Sequence, residues 1–157
     1  MNGVRLPPVS GTSGRCPIAW VGSLWSVTYK VLNVPGAIDG KHVLLKKPPK
    51  SGSVFYNYKG GFSIVLLAVC DWKYRITYAK FGDYGRESDG GIFDRCDLKQ
   101  AMLADELHLP PDTALPRSDI VMPHFFVGDA AFPHMHQLMK PLGGNDLSPA
   151  QRIYNYR

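Results

Sequence analysis

The spacing of apolar residues divides the chain into short elements separated by glycine, proline and charged residues. The clearest is residues 62–70, FSIVLLAVC, a continuous apolar run that predicts a strand covered on both faces. Residues 71–73 are predicted to form a hairpin tip, and residues 74–80 to return as the next strand. Residues 37–45 favour an earlier strand, interrupted near Gly40.

The second half of the chain predicts helices around one more strand. Ser88 is a suitable N-cap for a helix over residues 89–103, which Gly90 and Gly91 weaken. Residues 124–127 predict a short buried strand, residues 135–139 a helix, and Ser148-Pro149 the start of a last helix. This order of strand, hairpin, helix, strand and helices predicts an α/β sheet with covered faces.

The charge of the chain is unevenly distributed. Residues 1–60 contain eight Lys or Arg and one acid, whereas residues 61–157 contain ten Lys or Arg and twelve acids. Such an asymmetry indicates a basic surface for a polyanion. A solvated lysine-rich loop would give the same count, so both interpretations stay open at this point.

The cysteines and the apolar runs exclude several classes of protein. Three widely separated cysteines, with no C-x-x-C pair, argue against a disulfide framework and a zinc site, and favour reduced thiols in an intracellular protein. The N-terminus has no apolar segment typical of a signal peptide. The longest apolar run, residues 64–70, is too short to span a bilayer.

Two aspartates, Asp39 and Asp129, each lie at or near the end of a predicted buried strand. If the two strands are neighbours, both carboxylates project from the same rim of the sheet, where they repel each other unless a cation or a proton enters. Oxygen ligands of this kind favour Mg²⁺ or Mn²⁺. The alternative is that each aspartate only forms a turn, as Asp beside Gly commonly does.

Five segments in order resemble the Harbinger-type (PIF/Harbinger) transposases and the nucleases derived from them, which have a DDE superfamily endonuclease domain. The segments are GAIDGKHV (36–43), FYNYKGGFSIVLLAVCD (55–71), GRESDGGIFDRCDL (85–98), VGDAAFP (127–133) and LSPAQRIYNYR (147–157). Together they cover about residues 34–157. Residues 1–33 are therefore expected to form a poorly ordered leader that is not part of the family domain.

The resemblance implies an α/β fold with a ribonuclease-H-like mixed sheet and flanking helices. It also implies that two aspartates on adjacent strands and a glutamate on a later helix hold two divalent metal ions. Asp39 matches the first aspartate and Asp129 the second, which makes both candidate catalytic residues and metal ligands. Asp89 is a further candidate ligand, although an acid at a helix N-terminus has the same sequence signature.

The third acid of the family pattern has no match, because Glu106 is the last glutamate in the sequence. The resemblance therefore leads us to expect a domain that is incomplete at its C-terminus and a divalent-metal-dependent DNA endonuclease with impaired cleavage. Whether the chain is an enzyme at all stays open. The alternative is a non-catalytic relic of a transposase that binds DNA or protein.

The resemblance implies that DNA is the partner. The resemblance also allows for a separate partner protein that binds DNA. The residues expected to contact the DNA backbone are Lys41, Lys46, Lys47, Lys50 and Lys59. A nuclear location follows from the same resemblance, with the cytoplasm as an additional location. No membrane association is expected.

Overall fold

The computed structural model describes residues 33–115 and 117–156, and its centre is a five-stranded mixed sheet. The predicted leader, residues 1–33, lies outside the described residues except for Asn33. The strands of the main sheet are β1 (Ala37–Leu44), β2 (Ser63–Cys70), β3 (Ile76–Tyr84), β6 (Phe126–Val127) and β7 (Leu138–Met139). A separate small hairpin pairs β4 (Thr113–Ala114) with β5 (Val121–Met122). The helices are α1 (Asp89–Asp94), α2 (Asp97–Leu103) and α3 (Pro149–Tyr156).

The order of strands across the main sheet is β3-β2-β1-β6-β7. The first three strands are antiparallel, whereas β6 runs parallel to β1 and β7 parallel to β6. A mixed sheet of this order needs a long crossover before β6, and α1 and α2 lie within that crossover. The predicted α/β fold, with a ribonuclease-H-like mixed sheet and flanking helices, is confirmed.

The hydrophobic core lies on one face of the sheet. Alternate side chains of β2 point into it, and Val65, Leu67 and Val69 are fully buried. Phe93 of α1 packs edge-to-face against Phe132, with ring centroids 5.6 Å apart. The residues of β2 between the buried ones are only half-buried. The prediction that β2 is covered on both faces is therefore wrong, because an apolar run does not show on which face the helices pack.

The helix predicted over residues 89–103 is two helices. Ser88 caps α1 as expected, since its hydroxyl accepts the N–H of Gly91. The chain then leaves the helical conformation at Cys96, whose backbone is extended and whose sulfur accepts the N–H of Lys99. Cys96 therefore acts as the N-cap of α2, although its sulfur is a weak acceptor.

Two other local predictions are wrong. The helix expected over residues 135–139 is the strand β7, because the N–H groups of Phe126 and Gly128 donate to the carbonyls of Gln137 and Met139. The first strand is not interrupted at Gly40, since its pairing with β2 continues from Ala37 to Leu44. None of the helices in residues 33–115 and 117–156 is long and apolar enough to cross a bilayer.

Candidate active site

The parallel pairing of β1 with β6 brings two aspartates to one rim of the sheet. Ala37 lies opposite Val127 in this pairing. Asp39 and Asp129 each follow two residues later, and both are exposed. The N–H of Gly128 donates to the carbonyl of Met139 at 2.9 Å, which keeps the segment before Asp129 beside β7. Because β1 and β6 run parallel at this pair, equal offsets place the two residues at the same level. Asp39 is the third residue of β1, which continues to Leu44, so the prediction that Asp39 lies at the end of its strand is wrong.

Both aspartates also make local hydrogen bonds. One oxygen of Asp39 accepts the N–H of Gly40 at 2.8 Å, and one oxygen of Asp129 accepts the N–H of Ala131 at 2.8 Å. The second bond is the turn contact that an Asp after a strand commonly makes. Each bond uses a single oxygen, so the turn interpretation and the paired-acid interpretation are compatible.

A third carboxylate, that of Asp89, lies against β1 from the first turn of α1. A Cβ atom built on Gly40 would be 1.9 Å from Oδ1 of Asp89, and one built on Gly90 would be 2.3 Å from the carbonyl oxygen of Ala131. These glycines let α1 approach both β1 and the segment that follows Asp129. Gly90, one of the two glycines that weaken the predicted helix, is thus one of the residues that let Asp89 reach the rim.

The electrostatics of Asp89 link the three acids. Burial is the main cause that raises the pKa of Asp89 above its usual value, and the negative charges of Asp39 and Asp129 act in the same direction. The charges of His42 and Lys59 act in the opposite direction. In addition, Oδ1 of Asp89 is buried and has no hydrogen-bond partner among the described residues. The three carboxylates therefore share one electrostatic environment, in which the charges of His42 and Lys59 offset the effect of burial and repulsion only in part.

The sequence of this chain matches a known protein family. A family model described as DDE superfamily endonuclease matches residues 38–157. The chain belongs to this family. No curated protein and no solved structure matches it. The match begins one residue before Asp39 and also covers Asp89 and Asp129, so all three acids lie within the DDE endonuclease domain.

DDE superfamily endonucleases generally use divalent metal ions, and the acids of this domain fit such an ion in part. Carboxylate oxygens are the ligands that Mg²⁺ prefers, and a cation would relieve both the unpaired oxygen of Asp89 and its repulsion by the other two acids. Within the described residues, however, no group of three or more His, Cys, Asp or Glu side chains is positioned to hold a metal ion, so the three acids do not form a preformed metal site.

Several acids elsewhere in the DDE endonuclease domain pair with protein cations. Asp83 and Glu87 both pair with Arg95, and Asp94 pairs with Lys99. In the described part of the chain, none of the three rim acids forms such a pair. Three carboxylates without a direct ion pair thus meet at the rim where β1, β6 and α1 come together.

A loop anchored by Asn57 lies beside this rim. The side chain of Asn57, 3% exposed, donates to the hydroxyl of Ser63 at 2.9 Å and accepts the N–H groups of Lys59 and Gly61 at 3.0 and 3.1 Å. Ser63 is fully buried, and its hydroxyl also lies 2.9 Å from Nδ1 of His42. The loop is therefore fixed to the strand that carries Asp39 through a chain of buried polar groups.

All five lysines predicted to contact DNA have exposed side chains, and none forms an ion pair with another described residue. Lys41 follows Asp39 by two residues on β1 and so lies on the same face of the sheet. Lys59 is the one whose charge acts on Asp89. Lys46, Lys47 and Lys50 lie on the connection that leaves β1. The lysines are thus available for phosphates, with Lys59 next to the acids.

A groove of about 660 Å³ lies away from this rim. Its walls include Asp112, His124 and Gln137, which lie before β6 and β7 rather than after them. Because β6 and β7 are parallel, the groove opens at the opposite end of these strands from Asp129. Asp39 and Asp129 are themselves exposed, so the acid rim is open to solvent.

Sequence reasoning missed Asn57, Ser63 and the role of the glycines at positions 40 and 90. A polar residue before a Gly-Gly pair, and a glycine directly after a strand aspartate, are the only local signals of these features. Neither signal predicts the distant contacts, because Gly40 meets Asp89 of α1, and the Ser63 that binds Asn57 also meets His42 of β1, in an arrangement that only the sheet defines.

Proposed function

We propose that this DDE endonuclease domain is a Harbinger-type, transposase-derived nuclease that cleaves phosphodiester bonds of DNA with the help of divalent metal ions. The observation that carries the proposal is the parallel register of β1 and β6, which supports a carboxylate pair at one rim beside the unpaired oxygen of Asp89. Five exposed lysines along the same strand and its neighbouring loops support DNA as the substrate.

Asp39 and Asp129 are the proposed metal ligands. Asp89 is a further proposed ligand, and it reaches the same rim from the start of α1, packed against Gly40. A divalent ion bound there supplies an activated water and neutralises charge that develops on the phosphate. The protein's own residues position the strand: Lys59 holds a phosphate next to the acids, and Lys41 extends that contact along β1. Contacts of this kind provide affinity without base recognition.

We infer that Asp89 supplies a third carboxylate to this site, because its buried oxygen has no hydrogen-bond partner among the described residues and its pKa responds to the charges of Asp39 and Asp129. A location in the nucleus and a separate DNA-binding partner protein belong to the same proposal, and both rest on the resemblance to Harbinger-type transposases.

A plasmid-nicking assay in Mg²⁺ or Mn²⁺ tests the proposal. Asp129→Asn is expected to lower the nicking rate at least about 100-fold, because even residues that only support a metal ligand contribute about 10- to 100-fold. Asp39→Asn is expected to do the same. Asp119→Asn is the matched control, since Asp119 is exposed in the β4–β5 hairpin, and it should leave the rate unchanged. Nicking that survives both Asn substitutions and a chelator would contradict the assignment.

The alternative function is that of a non-catalytic relic that binds DNA or protein. The exposed lysines favour it as much as they favour the nuclease, because phosphate contacts need no metal. The relic is expected to bind DNA in a salt-sensitive way that neither a chelator nor Asp39→Asn alters. A nuclease is expected to respond to both. Binding measured with and without EDTA therefore separates the two functions.

A further inference from the structure

Tyr58 presents an aromatic ring to solvent at the edge of the acid rim. The residue is 81% exposed, and its ring meets His42 edge-on, with centroids 5.4 Å apart. His42 in turn lies close enough to Asp89 for its charge to act on that carboxylate. One side chain therefore separates the ring of Tyr58 from the acids.

The backbone beneath this ring is firmly held. Asn57 accepts two N–H groups with its side chain, its own N–H donates to the carbonyl of Gly61 at 2.8 Å, and its carbonyl accepts the N–H of Gly60 at 3.2 Å. Its amide group is fixed to the buried hydroxyl of Ser63. The exposure of Tyr58 is thus the result of a defined loop conformation, and a ligand that meets the ring orders only the side chain.

A cation stands next to the ring. The amine of Lys59 lies 5.2 Å from the ring centroid of Tyr58, and the charge of the same lysine acts on Asp89. An aromatic face for a base and a neighbouring positive charge for a phosphate are the two groups with which proteins hold single-stranded nucleic acids. Both belong here to consecutive residues of one fixed loop.

We propose that Tyr58 stacks on an unpaired nucleobase of a DNA strand whose adjacent phosphate is held by Lys59 at the acid rim. The base must be unpaired, because the faces of a base within a duplex are covered by its neighbours. The DNA identity of the strand rests on the proposed nuclease function. The specificity that follows is for frayed, flapped or single-stranded DNA over a continuous duplex.

The turn 71–75 provides a matched control on the same molecule. Trp72 there is exposed and the amine of Lys73 lies 4.7 Å from its ring centroid, so the local pair of aromatic ring and lysine is the same. This turn lies at the opposite end of the β1–β2 pairing, next to Ala37 rather than His42. If exposure beside a lysine were sufficient for stacking, Trp72 would bind a base as well.

The test uses a single-stranded DNA oligonucleotide that contains 2-aminopurine, with its fluorescence and affinity measured in EDTA and in Mg²⁺. The full chain is expected to quench the fluorescence and to prefer this strand over the matching duplex. Tyr58→Ala is expected to weaken binding to the single strand about 10-fold and to remove the quenching, as loss of a stacking partner does. Tyr58→Phe should retain both, and Trp72→Ala should change neither.

Other outcomes separate this inference from the proposed function. If the wild-type chain nicks plasmid in Mg²⁺ but Tyr58→Ala binds the single strand unchanged, the stacking inference is overturned and the nuclease function stands. If no nicking occurs but quenching still depends on Tyr58, the stacking inference stands without the nuclease. Tighter binding to the RNA strand of the same sequence would overturn the assignment to DNA. Far-ultraviolet circular dichroism verifies that each variant is folded.

Discussion

The two loops at the ends of β2 have the same local design and different surroundings. In each, the first residue accepts backbone N–H groups two and four residues later with its side-chain oxygen: Asn57 from Lys59 and Gly61, and Asp71 from Lys73 and Arg75. In each, the fourth residue has a positive φ. An aromatic residue and a lysine stand in second and third place in both loops. The local sequence pattern therefore produces the same turn twice.

The two loops differ in the group that the side chain of their first residue contacts. The amide group of Asn57 donates to the buried Ser63, which joins its loop to the core and to His42. The carboxylate of Asp71 accepts instead from Arg75, within its own turn, at 2.7 Å. One loop is thus an extension of the core beside the acid rim, whereas the other is a self-contained surface turn. The comparison teaches that neighbouring tertiary groups, and not the turn itself, decide which loop is joined to the core beside the acid rim.

The largest effect on the nicking rate is expected from a substitution at Gly40, where α1 contacts β1. In Gly40→Ala, the new Cβ atom would occupy the position of the Asp89 carboxylate, so that carboxylate must move away from the rim. A displacement of this size at a catalytic centre costs about 100-fold in rate. The nicking rate in Mg²⁺ measures it. Gly143→Ala is the control, since a Cβ atom there meets nothing within 4 Å, and an equal loss in both variants would contradict the role given to Gly40.

The next largest effect is expected from Asn57→Ala. This change removes the hydrogen bond to the buried hydroxyl of Ser63, which keeps its contact with His42, and leaves two N–H groups of the loop without their partner, at a cost of about 2 kcal/mol in the free energy of unfolding. Urea denaturation measures the loss, and binding to single-stranded DNA should fall as well because Tyr58 is no longer held. Ser63→Ala should share most of this effect. If the two losses were additive in the double variant, the proposed chain of hydrogen bonds would be wrong.

A smaller effect is expected from Asp71→Asn, which gives the second loop the same first residue as the first loop. Burial acts to raise the pKa of Asp71, but hydrogen bonds and the charge of Arg75 outweigh it and hold that pKa below its usual value of 3.8. Its charge therefore stabilises the fold above pH 3.8, and this stabilisation is lost as the pH falls through the lowered pKa of Asp71. We expect a loss under about 1 kcal/mol at neutral pH, because the pair with Arg75 is near the surface.

Denaturation of wild type and Asp71→Asn at pH 7 and at pH 3 or below verifies this sign. The difference in the free energy of unfolding should shrink as the pH is lowered below 3.8. A difference that grows in acid would show that Asp71 acts through something other than its charge.

The smallest effect is expected at the fourth position of the two loops. Gly60 has φ +82° without a steric cost, whereas Tyr74 has φ +60°, where a side chain is strained. Tyr74→Gly is therefore expected to stabilise the turn by about 0.5 kcal/mol, a gain reduced by the greater freedom of glycine in the unfolded chain. Gly60→Ala should do the opposite. Thermal melts show whether each variant is more or less stable than the wild type. Destabilisation by Tyr74→Gly would mean that the exposed ring of Tyr74 makes a stabilising contact.

Much of the fold could be predicted because its signals are local. The apolar run of β2 and the alternation after it predict a hairpin, and Ser88 predicts the start of α1. The errors fall where local signals conflict with pairing. Residues 138–139 form a strand because β6 offers them hydrogen-bonding groups, and no periodicity in so short a segment distinguishes the two structures.

The sequence alone determined that Asp39 and Asp129 each follow an apolar segment, and it contains the ordered motifs of the DDE endonuclease family. Only the tertiary structure decided that these aspartates lie at one rim and that Asp89 reaches it past Gly40. Only the tertiary structure distinguished the Asn57 loop from the Asp71 turn. The physical reason is that periodicity and turn chemistry act between near neighbours, whereas strand register and close packing at glycine depend on segments that are distant in the chain.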